Sequence, residues 1–201
     1  MGIYQAYASM AIGLALLAVL GETMNPSTSL KGTWRLGLRM VLMLAAGAAA
    51  YYGILQIFLT WKDLELLSYL GMDAASAGYP VGQLPRLIWN TYKQVVAFFF
   101  LPGAANAFAP PFFVIINLRV LLLGGACLLL RLRAGELWRE GWRLAGALVL
   151  AGLFPLAVNF GQIISPFSPP TPLMKYAFVL VYLAVLMLLQ RADEVSARER
   201  G

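Results

Sequence analysis

Arg119 is the only charge in the apolar run FFVIINLRVLLLGGACLLL. A charge within a membrane span is costly and usually faces a bundle interior or a watery cavity. The planar fork of an arginine suits a phosphate. Seven residues at 1.5 Å each put Arg119 about 10 Å from the start of its run. The plainer alternative is snorkelling, with the stem in lipid and the guanidinium at the headgroups. Asn117 lies two residues away, on a different face, so the two need not act together.

Three carboxylates, Asp63, Glu65 and Asp73, fall in the long connection between the second and third apolar runs. A positioned carboxylate can serve as general base on a hydroxyl. Asp73, in the small-residue stretch GMDAASAGYP, is the first choice and Asp63 the second. The structural alternative for each is a solvated charge at an interface. Arg86, Lys93 and Lys175 add positive charge near the same side and, with Arg119, would attract a lipid phosphate. Ordinary headgroup contact is their alternative.

The elements that carry these residues belong to a membrane. The 201 residues are 61% hydrophobic and 12% charged, about half the charge of a soluble domain. The apolar runs are near the length needed to cross a bilayer as helices, and no strand period replaces them. Five spans are expected, at about 3–20, 38–59, 112–130, 144–160 and 173–189. They form a single all-α polytopic domain over 1–201, with an outer loop at 60–111. Within that loop, residues 61–70 and 87–101 read as interfacial or re-entrant helices. The small-residue run Ala45–Ala50 and the pair Gly124-Gly125 read as helix packing. A proline-rich loop, SPFSPPTP, joins the last two spans, with Asn159 and Gln162 just before it.

Sidedness follows from the basic residues. With Met1 outside, ten of the 15 Lys and Arg fall on inner segments and four on outer ones. Trp34, Trp138 and Trp142 then mark the inner boundary, and Trp61 and Trp89 the outer. The C-terminus is inside. The net charge of +6 is explained by this bias, and nucleic acid is not expected as a partner. The chain has no histidine and one cysteine, Cys127, inside an apolar run. No metal site, disulfide framework or cofactor is expected. The first run lacks a basic leader, so no cleavable signal is expected.

Three segments carry a family resemblance: GIYQAYAS (2–9), PLAVNFGQIISP (155–166) and LMKYAFVLVYL (173–183). Together they resemble the GtrII family of bacterial serotype-converting glucosyltransferases. The resemblance implies a GT-C type enzyme of the inner membrane. It would transfer glucose from undecaprenyl-phosphate-glucose to a surface polysaccharide on the periplasmic side. The matching part looks like the family's C-terminal half, so an N-terminal half is an expected partner, and no catalytic residue is carried over. Arg119, Lys175 and the outer loop would then belong to the donor or acceptor groove. Two other classes stand beside this one: a non-catalytic scaffold or truncated remnant, and a transport component for a lipid-linked sugar. Transporters favour paired repeats, and this sequence shows none.

Overall fold

A computed structural model describes residues 2–63, 81–101, 110, 112–133, 140–164, 172–187 and 189. Among them there is no strand. The elements are α1 (Gly2–Thr23), α2 (Leu30–Lys62), a 3-10 turn (Val81–Gln83) leading into α3 (Leu84–Phe100), α4 (Phe112–Arg133), α5 (Gly141–Val158) and α6 (Phe160–Ile164). A 3-10 segment, Pro172–Val179, then runs into α7 over residues 180–187.

Three helices are long and apolar enough to cross a membrane: Leu30–Lys62, Phe112–Leu130 and Gly141–Val158. Tyr7–Thr23 and Lys175–Met187 are shorter apolar helices. The expected spans therefore all fall on helical segments, with altered bounds. The second starts at Leu30, eight residues earlier than 38, because Ser29 caps it. The Ser29 backbone is extended and its Oγ accepts from the Gly32 N–H at 3.2 Å. The fourth breaks at Asn159, and the fifth opens as a 3-10 helix. The helix expected over 61–70 is not a separate element where it is described. Trp61 and Lys62 are the last turn of α2, and residues 64–70 lie outside the described part.

The core forms where α1, α5 and the Pro172–Val179 segment meet. It is built on Leu17, Val95, Phe99, Val158, Ala177, Phe178 and Leu180. Gly13 lets α1 approach closely: a Cβ there would stand 2.5 Å from Leu180 Cδ1 and 3.3 Å from Val158 Cγ1. Gly124 does the same for α4 against Val185, at 2.9 Å. Its neighbour Gly125 has nothing within 4 Å, so only half of the expected glycine pair packs.

α2 is different. Its main partner is α1, and Thr33 is its one buried residue. The run Ala45–Ala50 faces outward, and a Cβ at Gly47 would meet nothing within 4 Å. Among the described residues, no helix uses that surface.

α3 packs against α4, α5 and α6 through the stripe Leu87, Thr91, Val95 and Phe99. These positions repeat every fourth residue, as one face of a helix must. The Thr91 hydroxyl donates to its own Leu87 carbonyl at 2.9 Å, which frees the stripe from an unpaired polar group. Phe98 meets Phe99, Phe113 and Phe178 edge to face, with centroids 4.9 to 6.2 Å apart. Pro155 interrupts the backbone bonding of α5. Three residues before that proline, the Gly152 carbonyl accepts from the Tyr92 hydroxyl. Neighbouring side chains commonly satisfy carbonyls near a proline in a membrane helix in this way.

Candidate functional site

The two ends of the bundle are built differently. At one end Arg143, 3% exposed at the start of α5, reaches into the turn between α1 and α2. It donates to the carbonyls of Thr23 (3.3 Å), Asn25, Pro26 (3.2 Å) and Thr28 (2.6 Å). It also pairs with Glu140 at 3.0 Å. The fork of an arginine offers five donors in fixed geometry, and here they reach the Thr23 carbonyl at the end of α1 and three more in the turn that follows. The turn is braced locally as well. Thr28 Oγ1 donates to Glu22 at 2.5 Å, and Ser27 donates through N and Oγ to Asn25 Oδ1.

Glu140 also accepts from the Trp142 indole, and the Arg143 guanidinium lies 4.7 Å from that ring. The hydrogen bond from Arg143, then the one from Trp142, holds the Glu140 carboxyl below its usual value of 4.5. A carboxyl so lowered stabilises the fold above the unfolded value and loses that contribution as pH falls through the folded one. Acidification below about pH 4.5 is expected to lower the thermal midpoint, and Glu140→Gln to flatten that dependence. Fluorescence melts of the solubilised chain across pH would read this. An equal acid response in both proteins would remove Glu140 from the effect.

The opposite end holds irregular backbone and neutral polar groups. α5 breaks at Asn159, whose Nδ2 donates to Gln94 Oε1 at 3.0 Å. The Gly161 N–H donates to Ser9 Oγ at 3.0 Å, tying α6 to α1. On α4, Asn117 Nδ2 donates to the Phe99 carbonyl at 2.9 Å, and its Oδ1 accepts from the Tyr182 hydroxyl. These contacts lock α3, α4 and α7 together. The sequence marked Asn117 and Asn159 as polar, but their partners lie 18 to 65 residues away, and no local spacing reveals them.

The expected site residues fall as follows. Asp73 and Glu65 lie outside the described residues. Asp63 is the residue after α2 and takes the left-handed conformation, φ 50° and ψ 45°. Its N–H reaches back to the carbonyls of Leu59 and Thr60. That is a helix-terminating geometry, which Asp tolerates better than most residues but Gly best. Asp63→Gly is expected to hold or raise stability by up to about 1 kcal/mol. Asp63→Asn keeps the turn and removes the charge. A thermal midpoint unchanged in Asp63→Asn would show that the turn needs the left-handed backbone and not the charge.

Arg86 and Lys93 are exposed on α3, away from its buried stripe, and Lys93 Nζ lies 5.4 Å from the Trp89 ring. Lys175 is half-buried on the 3-10 segment. Arg119 is exposed while Asn117 is buried, so the two do point to different faces. The four cations therefore sit on three elements: α3, α4 and the Pro172–Val179 segment. Among the described residues, no cluster of three or more metal-ligating side chains occurs.

Three helices of spanning length and apolar composition, among residues that form no strand where described, mark a helical membrane protein. The chain belongs to the GtrII glucosyl transferase family, whose model matches residues 1–189. No match was found among curated proteins or solved structures.

Proposed function

We propose that this protein is a glycosyltransferase, or the C-terminal portion of one, that moves glucose from a polyprenyl-phosphate donor to a cell-surface polysaccharide such as O-antigen. Family membership over 189 of 201 residues carries the reading. It is a GT-C type enzyme of the bacterial inner membrane with five spans, the N-terminus outside and the C-terminus cytoplasmic. The end holding Asn159 and the Pro172–Val179 segment faces outward, and α3 dips into the bilayer as a re-entrant helix. Its packing on α4, α5 and α6, with Tyr92 bonded inside α5, supports that over a helix lying on the surface.

The division of labour follows from chemistry. Arg119, Lys175, Arg86 and Lys93 bind substrate: they are the cations on the donor side, and a phosphate-linked sugar needs them. Asp73, or Asp63, is the base that takes the proton from the acceptor hydroxyl as it attacks the sugar's anomeric carbon. The polyprenyl phosphate leaves with the electrons of the broken bond. An N-terminal half is the expected partner that completes the acceptor side.

Membranes expressing the chain are given polyprenyl-phosphate carrying labelled glucose, with and without an N-terminal half from the same family. Transfer in either arm, lost in Asp73→Asn, supports the reading. Absence of transfer in both arms would instead favour a non-catalytic scaffold or a lipid-linked sugar transport component.

A further inference from the structure

Arg119 is exposed on α4, and among the described residues it makes no hydrogen bond or ion pair. The positions one turn either side of it on the same face are Ile115, Ile116, Leu122 and Leu123. All are exposed, by 54%, 45%, 63% and 48%. The segment Phe112–Leu130 is long and apolar enough to cross a membrane. A cation thus stands in the middle of an apolar outward surface, where a bare charge is costly.

α4 cannot turn to hide it. Asn117, 1% exposed, is held from two sides by the Phe99 carbonyl and the Tyr182 hydroxyl. Gly124 is pressed against Val185. At about 100° per residue both positions point away from Arg119. Rotating α4 would break two buried hydrogen bonds and a close contact.

We infer that Arg119 anchors the phosphate of a single-chain lipid phosphate that enters sideways from the bilayer and lays its chain along Ile115, Ile116, Leu122 and Leu123. The inference rests on the proposed function and places its donor on the outside of the bundle rather than in its interior. The chemistry selects the occupant. Guanidinium and phosphate pair in a planar fork. The apolar residues on both sides of the cation suit a hydrocarbon chain. Arg119 lies about 10 Å from the start of α4. A diacyl phospholipid has its phosphate held at the headgroup level by two anchored chains, whereas a single chain can slide inward to meet the arginine.

The test uses the full chain in phosphatidylcholine nanodiscs and a fluorescent polyprenyl monophosphate as probe. Unphosphorylated polyprenol and phosphatidylglycerol are the competitors. Arg119→Gln is expected to weaken probe binding about 10- to 100-fold, the range for a hydrogen bond to a charged group. Neither competitor should displace the probe at equal concentration. Returning the cation to the same face, in Arg119→Gln with Ile115→Arg, should recover part of the binding. Moving it to the next face, in Arg119→Gln with Val120→Arg, should not.

Equal competition by phosphatidylglycerol would reduce Arg119 to ordinary headgroup contact and overturn the inference. So would unchanged binding in Arg119→Gln. Because binding is read without sugar, the two readings can fail separately. Arg119-dependent binding without transfer would sink the enzyme and keep the site. Transfer with binding indifferent to Arg119 would do the reverse.

Discussion

Arg143→Leu is expected to destabilise the protein by about 2–4 kcal/mol, because a buried guanidinium and its hydrogen bonds to several backbone carbonyls are removed together. The Thr23, Pro26 and Thr28 carbonyls lose this donor, while Asn25 keeps the Thr28 N–H and Glu140 keeps the Trp142 indole. The site is 3% exposed, so water cannot replace the guanidinium without opening the turn. Arg143→Lys should recover little. A single ammonium has three donors on a flexible stem and cannot address carbonyls spread from Thr23 to Thr28. The thermal midpoint of the solubilised chain measures the loss. Limited trypsin digestion locates it, because Lys31 and Arg35 follow the turn directly. A loss under about 1 kcal/mol would mean that the clamp is decoration on a turn already held by Ser29, Asn25 and Thr28.

Gly13→Ala should cost about 1–3 kcal/mol through overpacking. The added methyl would stand 2.5 Å from Leu180 Cδ1. A leucine tip can often swing aside, but Leu180 is 1% exposed and Val158, the next neighbour at 3.3 Å, is 0% exposed. Neither has room to yield. Leu180→Ala in the same chain removes the collision, so the double variant should be more stable than the two single losses summed. That non-additivity is the signature of direct contact. Gly47→Ala is the control: nothing lies within 4 Å, and alanine is the better helix former by about 1 kcal/mol. Strict additivity of Gly13→Ala with Leu180→Ala would mean that α1 and α7 do not meet there.

How much of this was legible beforehand depends on distance along the chain. The apolar runs were, because hydropathy is local. Each fell on helix, and the family suggested by GIYQAYAS and PLAVNFGQIISP is the one whose model matches. The opposed faces of Asn117 and Arg119 were legible too, since helical periodicity fixes them. Helix ends were less so. Ser29 is an ordinary capping residue, but it precedes a basic stretch, LKGTWR, that reads as loop when hydropathy is the only guide. Arg143 was counted as one more inner charge. Nothing near it in sequence predicts a role at Thr23 to Thr28, because its partners come from backbone, which has no residue type to read. Asp63 and Arg119 kept their candidacy, but neither acquired a catalytic neighbour among the described residues.

The clamp also sets a timetable. The carbonyl of Thr28 waits for a guanidinium 115 residues further on. At about 5–20 residues per second, a ribosome needs roughly 6 to 23 s to supply it. Over that interval the nascent α1–α2 hairpin relies on local bonds to keep the turn in shape: Thr28 to Glu22, Ser27 to Asn25 and Gly32 to Ser29, with the backbone bonds of Asn25 to Glu22 and Thr28 to Asn25. Those small contacts therefore matter most during biosynthesis, before the late-arriving arginine seals the turn.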